Sequence, residues 1–250
     1  MIFLHFIILG LVQGLTEFLP VSSSGHLFLI GKYFQIEESL FVSVVLHVAT
    51  LLSICVVMRK ELWTLLKNPF SKEVKNLVVS SVATFIIVIL LYKVIKILDF
   101  YSYLPFFFML TACLLFLTQI FSKKKGEQKI NIKQSFVMGV AQGLAVFPGL
   151  SRSGATICAG VLSGAKKEEV AKHSFLMSIP IILASLVMEL YELRGISLVS
   201  VPILPILTGF IVAFVVGFLS LKFMMRLACK LKFSCFSYYL IFISIISLMF

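Results

Sequence analysis

Apolar residues run through this chain in long stretches, punctuated by short clusters of Lys, Arg, Pro and Gly. Stretches of spanning length fall at about 40 to 58, 76 to 97, 103 to 122, 168 to 190, 203 to 225 and 233 to 250, and each predicts a transmembrane helix. Two further apolar stretches, 1 to 35 and 130 to 165, are broken midway by Ser, Gly and Pro. That pattern suits half-helices that enter the membrane and return, because irregular backbone at membrane depth has to be buried in protein or line a wet cavity.

The two broken stretches resemble each other. A shift of 129 residues aligns GLVQGLTEFLPVSSSGH, Gly10 to His26, with GVAQGLAVFPGLSRSGA, Gly139 to Ala155, at eight identities in seventeen positions without a gap. The same shift carries the first three spans onto the last three. The expected architecture is an all-α integral membrane protein of six transmembrane helices and two re-entrant helical hairpins. It forms one polytopic domain over 1–250, with repeat 1 at about 1–122 and repeat 2 at about 130–250. Three spans per repeat is an odd number, so the second copy is expected to sit inverted, with the broken helices meeting around a polar site near the midplane.

Composition agrees: 60% of the 250 residues are hydrophobic and 13% charged, against roughly a quarter charged in soluble domains, and mean hydropathy is +1.09. Six spans use so much of the length that a separate catalytic domain is excluded. The net charge of +11 comes from only 11 acidic residues facing 22 basic ones, which argues for a cytoplasmic membrane surface and against nucleic acid. Cys55, Cys113, Cys158, Cys229 and Cys235 show no metal-ligand spacing and are expected to be buried thiols. The N-terminal MIFLHFIILGLVQG lacks a positively charged leader and is expected to be retained.

Orientation follows from loop charge. With the 59 to 75 loop in the cytoplasm, seventeen basic residues, among them Arg59, Lys60, Lys67, Lys123, Lys124, Lys125, Lys172 and Lys232, fall on that side. Lys32, Lys93, Lys96 and Arg194 fall on the other, with Arg152 set aside. Both termini and the first hairpin are therefore expected on the outer face, and the second hairpin is expected to enter from the cytoplasm.

The hairpins carry the chemistry. Gln13 and Glu17 share a helical face, and Pro20 with the triple serine ends that helix. A carboxylate in so apolar a segment is either an interfacial residue reaching water or a metal ligand or general base. Ser22, Ser23, Ser24 and Gly25 precede His26 and an apolar run, as where a helix starts with serine capping its free NH groups, and such a terminus attracts phosphate. His26 can take or give a proton near neutral pH. In the second hairpin Ser151, Arg152, Ser153, Gly154, Ala155 and Thr156 repeat the device, with Arg152 at the position of Ser23. Arg152 is either half of a structural ion pair with Glu17 or a fork that clamps phosphate oxygens. Together these residues suit binding and cleavage of a lipid-borne phosphate ester. Transport of a lipid phosphate through the same clamp, as a carrier or flippase, is the rival class. His47 is expected to be a helix contact or to line the cavity, and His5, His173 and Glu189 to lie near interfaces.

QGLTEFLPVSSSGH followed by PGLSRSGAT resembles the signatures of the undecaprenyl-diphosphate phosphatases of the bacitracin-resistance type, bacterial membrane enzymes, and the likeness extends over the whole chain. The resemblance implies hydrolysis of undecaprenyl diphosphate to undecaprenyl phosphate and inorganic phosphate at the cytoplasmic (inner) membrane. That reaction recycles the carrier for peptidoglycan synthesis and confers bacitracin resistance. It implies Glu17 as the second acidic residue of the first motif, Ser23 as nucleophile, with direct attack by water held by Glu17 as the alternative, His26 as the proton-transfer partner of Ser23 and Arg152 as phosphate clamp, with Ser151 and Thr156 as hydrogen-bonding members. Ser22, Ser24, Gly25, Ser153 and Gly154 complete the substrate-binding set. Many members carry Glu where this chain has Gln13, so Glu17 is expected to bear the charge and Gln13 to support it as a hydrogen-bond partner or weak ligand. A divalent cation, Mg²⁺ or Ca²⁺, is expected near Glu17 and Gln13. The partners implied are the polyprenyl lipid and membrane lipids, with the oligomeric state open and a homodimer among the options.

Overall fold

The computed structural model describes residues 2–36, 40–97, 100–121, 129–194, 203–230 and 233–249, and among these the chain is all-helical. Eleven α-helices follow in order there: α1 Ile2–Thr16, α2 Ser23–Phe34, α3 Leu40–Val57, α4 Arg59–Lys67, α5 Lys72–Ile97, α6 Leu104–Phe121, α7 Ile132–Leu144, α8 Arg152–Leu162, α9 Lys167–Glu192, α10 Ile203–Lys230 and α11 Ser234–Ser247. Lys123, Lys124, Lys125 and Lys232, counted above for orientation, lie outside the described residues, as do the side chains of Lys96 and Cys229.

Five helices, α3, α5, α6, α9 and α10, are long and apolar enough to cross a membrane. Of the sixth expected span, 233 to 250, the described residues show a shorter apolar helix. There α11 holds 14 residues, about 21 Å of helix against a hydrocarbon core of about 30 Å, and Leu248 and Met249 leave it as a turn. The stretch from 59 to 75 is more than a loop. It contains α4, whose Trp63 and Leu66 are exposed beside Arg59, Lys60 and Lys67, as suits a helix lying at an interface. Lys172 Nζ, at the start of α9, stands 3.7 Å from Glu61 on α4, and Asn76 on α5 donates to the Ile130 carbonyl at 2.9 Å. These contacts gather segments expected on one membrane side at one end of the bundle.

The shift of 129 residues is visible in the fold. It carries α1 and α2 onto α7 and α8, α3 onto α9, α5 onto α10 and α6 onto α11. Only α4 has no image, because α9 runs unbroken to Glu192 whereas α3 gives way at Met58. Packing exchanges partners under the same shift: α1 lies along α10, and α7 lies along α5. A Cβ on Gly10 would collide with the Gly209 carbonyl oxygen, and one on Gly139, its image, with the Ser80 carbonyl oxygen. Gly14 meets the Ala213 carbonyl and Gly143 the Thr84 carbonyl in the same paired way. The small-xxx-small spacing of each first hairpin helix therefore lets two backbones touch, the usual route to helix association where hydrophobicity supplies no drive.

The core runs through the centre of the bundle, with Phe18, Phe108, Leu115, Met138, Phe175 and Phe233 fully buried. Phe18, next to Glu17, meets Phe175 of α9 edge-on at 6.1 Å, which fixes the first hairpin's tip against a span. The thiols are less buried than expected. Cys158 is inside and Cys55 half-buried, but Cys113 and Cys235 are exposed; Cys113 shares its face of α6 with exposed Leu110, Phe116 and Leu117. An apolar outer face accepts a thiol as readily as a core does.

Candidate active site

Each hairpin breaks where its sequence demands. After α1, Pro20 cannot continue the helix, and Ser22 turns the chain with a left-handed φ of 70° before α2 starts at Ser23. After α7, Gly149 takes φ 91°, where a Cβ would press on Phe107, and α8 starts at Arg152. The two turns are stitched together. Ser22 Oγ accepts from the Gly149 N–H at 3.1 Å, and Ser153 Oγ donates to the Leu19 carbonyl at 3.1 Å. A Cβ on Gly25 would strike Phe108 and approach Gly149, so Gly25 serves the close approach of α2 to the opposite turn.

This contact corrects one expectation and supports another. Ser22 occupies the N-cap of α2 but makes no capping bond, because its hydroxyl is turned to the other hairpin and to Ser24 Oγ at 3.4 Å. Ser151 does cap α8, accepting from the Gly154 N–H at 3.1 Å while meeting Ser153 Oγ at 3.2 Å.

At the centre stands Glu17, whose side chain is almost wholly buried. Its Oε1 is paired with Arg152 Nη2. Its Oε2 accepts from Ser23 Oγ at 2.7 Å and from Gln13 Nε2 at 3.1 Å. Glu17 thus takes bonds from α1, α2 and α8 at once, and a carboxylate so deep in apolar protein persists because three donors, one of them a cation, compensate it. His47 on α3 has its Nδ1 2.9 Å from the Ser43 carbonyl oxygen one turn earlier, so it makes the helix contact expected of it. Thr156 Oγ1 meets Ser174 Oγ at 2.6 Å and can donate to the Arg152 carbonyl at 2.9 Å.

His26 lies apart from this cluster. Its Nδ1 is 2.8 Å from the Ser22 carbonyl oxygen and its Nε2 2.7 Å from Tyr239 Oη. Both ring nitrogens are engaged, neither with Ser23, and the hydroxyl of Ser23 points instead at Glu17. His173, expected near an interface, is buried in α9, and its Nε2 has no partner.

A cleft of about 20 Å³ opens beside the ion pair, lined by Glu17, Arg152, Ser153, Thr156, Gln142, Ser174 and Ser178 with Phe18 and Phe175. It has room for about one water and not for a phosphoryl group. The repeat shift makes Gln142 the image of Gln13 and could have singled it out, whereas Ser174, Ser178 and Tyr239 come from spans where no local pattern marks them.

Among the described residues no group of three or more His, Cys, Asp or Glu is arranged to hold a metal. Gln13 Oε1, buried and without a partner next to Glu17, is the orphaned oxygen a hard cation would complement. Two oxygen donors with the remainder from water and phosphate is how Mg²⁺ is commonly held, so the residues fit a substrate-shared cation and not a closed protein cage.

These features define a polytopic, all-helical membrane protein in which two broken-helix hairpins meet at a buried carboxylate and guanidinium. The family model described as bacitracin resistance protein BacA matches residues 6–246, and the chain belongs to that family. It is 40% identical over 249 residues to the undecaprenyl-diphosphatase of Thermosipho melanesiensis, covering 96% of each chain. It is 36% identical over 254 residues to that of Treponema denticola, covering 94% of this chain and 92% of the other. With that of Carboxydothermus hydrogenoformans it shares 37% identity over 244 residues, 93% of this chain and 91% of the other.

Proposed function

We propose that this chain is a membrane undecaprenyl-diphosphatase that cleaves undecaprenyl diphosphate with water, giving undecaprenyl phosphate and inorganic phosphate. The observation that carries the proposal is Glu17 bonded at once to Arg152 of the opposite hairpin and to the Ser23 hydroxyl. The family and the near full-length likeness to undecaprenyl-diphosphatases favour hydrolysis over a carrier that uses the same clamp.

The diphosphate draws Arg152 from Glu17 to its own oxygens, a fork-shaped match to phosphate. Glu17, released from the guanidinium, accepts the Ser23 proton, and Ser23 Oγ attacks the terminal phosphorus in line while the anhydride bond to undecaprenyl phosphate breaks. Water then cleaves the phosphoserine, its hydroxyl going to phosphorus and its other proton to Ser23 Oγ, phosphate leaves, and Glu17 gives up the proton it took to solvent. Glu17 with the Gln13 carbonyl oxygen would hold a divalent cation, Mg²⁺ or Ca²⁺, which supplies charge neutralisation to the diphosphate when bound. Ser151, Ser153, Gly154 and Thr156 shape the second hairpin's turn, and Ser22, Ser24 and Gly25 the first.

The reading includes an inverted pair of repeats, each one hairpin and three spans, with α11 as the short last member, and the exchanged packing of α1 on α10 and α7 on α5 supports it. It also has the cleft open to the outer side of the cytoplasmic membrane and both termini outside, on the strength of loop charge. All the residues invoked come from a single chain. Purified protein in detergent, given a polyprenyl diphosphate, tests the reaction: wild type liberates phosphate, and Arg152→Ala, Glu17→Gln and Ser23→Ala lose it. Near-normal release by Arg152→Ala would overturn the scheme, and binding without release would favour the carrier.

A further inference from the structure

The least expected contact in the molecule joins His26 to a tyrosine 213 residues away. The Ser22 carbonyl can only accept, so at 2.8 Å it requires the proton on Nδ1 of His26. Nε2 of the neutral ring is then an acceptor, and Tyr239 Oη at 2.7 Å is its donor. The Tyr239 ring stacks on the imidazole at 5.6 Å and 13°, and buried Phe108 meets it edge-on at 5.3 Å. Tautomer and orientation of His26 are therefore fixed from three sides.

The ring holds a strained backbone. Ser22 is one of two non-glycine residues with positive φ among the described residues, and it immediately precedes Ser23. Such a conformation persists only where its surroundings over-determine it. The Ser22 carbonyl receives the His26 ring N–H as well as the His26 backbone N–H at 3.3 Å, and the Ser22 hydroxyl receives the Gly149 N–H. That turn aims Ser23 Oγ at Glu17.

We propose that Tyr239 and His26 are positioning residues, a hydrogen-bonded relay from α11 through the imidazole to the Ser22 carbonyl that holds the left-handed turn presenting Ser23 to Glu17. In this scheme His26 transfers no proton to or from Ser23. It donates a hydrogen bond to backbone, and Tyr239 keeps it in the tautomer that can do so. The inference rests on the proposed nucleophilic role of Ser23.

Asparagine separates positioning from proton transfer, because its side-chain NH₂ stands near the place of Nδ1 and donates but does not titrate. Phosphate release from a polyprenyl diphosphate is to be measured for wild type, Ser23→Ala, His26→Asn, His26→Ala and Tyr239→Phe, with each protein's thermal transition. His26→Asn is expected to keep activity within about tenfold of wild type while His26→Ala loses about a hundredfold or more. Tyr239→Phe keeps the ring stack and loses only the hydroxyl. It is expected to lower kcat about tenfold with KM unchanged, and ¹⁵N spectra of histidine-labelled protein should show His26 leaving its single Nδ1–H tautomer. If His26→Asn is as inactive as His26→Ala, the positioning role of His26 is overturned. If Tyr239→Phe matches wild type in kcat and tautomer, the role of Tyr239 is overturned. Should His26→Ala fail to fold, His26→Asn is judged against wild type by the same margin. Retained activity in Ser23→Ala would instead overturn the nucleophile, a separate failure.

Discussion

Glu17 and Arg152, 135 residues apart, are bonded to each other at the junction of the two hairpins. The contact is the ion pair that was one of the two alternatives the sequence left for Arg152, and it lies beside a cleft of about 20 Å³. Arg152→Lys separates these roles. Lysine preserves the charge opposite Glu17, so the thermal transition should stay within a few degrees of wild type. It lacks the planar fork, so phosphate release should fall about a hundredfold. Unchanged turnover in Arg152→Lys would reduce the guanidinium to a structural counter-charge.

Ser22→Ala tests the stitch between the hairpins. The Gly149 N–H loses its acceptor in a buried setting, at a cost of about 1–3 kcal/mol. The expected result is a lowered melting temperature together with reduced turnover, since the same turn carries Ser23. A variant as stable as wild type would mean that another acceptor reaches Gly149.

The paired glycines should fail in matched ways. Gly10→Ala and Gly139→Ala each push a methyl group into a carbonyl oxygen of the neighbouring helix, and overpacking of this kind costs about 1–3 kcal/mol. Because the contacts are images of each other, the two melting temperatures should fall by similar amounts. A large loss in one with none in the other would show that one hairpin's packing is dispensable.

Gln13 bears on the cation. Its Oε1 is buried without a partner, whereas a carboxylate there would add a charged ligand beside Glu17. Gln13→Glu should lower the Mg²⁺ or Ca²⁺ concentration that gives half-maximal phosphate release, and a chelator should suppress release by wild type at higher residual metal than by the variant. Indifference of both proteins to the chelator would remove the cation from the scheme.

Much of this was legible because membrane insertion makes sequence patterns strict. The apolar lengths gave five of the spans, and the breaks at Pro20 and Gly149 gave both hairpins within a few residues. The repeated serines marked both turns. What they did with their hydroxyls was not legible: Ser151 caps its helix, while Ser22 reaches across to Gly149, a choice set by the approach of the opposite turn. The partner of His26 was hidden for a similar reason. Tyr239 belongs to α11, which packs on α6, and nothing in its neighbours' spacing foretells its contact with His26. The apolar stretch from 233 to 250 runs on past the end of α11 at Ser247, because apolar composition alone does not mark where a helix stops.

Orientation is open to direct measurement. The fold gathers α4, the start of α9 and the segment before α7 at one end, through Lys172 with Glu61 and Asn76 with Ile130. At the other end Ser244 of α11 donates to the Pro105 carbonyl at the start of α6. The positive-inside rule puts the first end in the cytoplasm, since Arg59, Lys60 and Lys67 lie there. In a background with the native cysteines replaced, Lys67→Cys should resist a membrane-impermeant maleimide on intact cells and react after permeabilisation. Lys32→Cys, at the end of α2, should react without permeabilisation. The opposite pattern would turn the cleft to the cytoplasm, and the diphosphate would then have to be met at the inner leaflet.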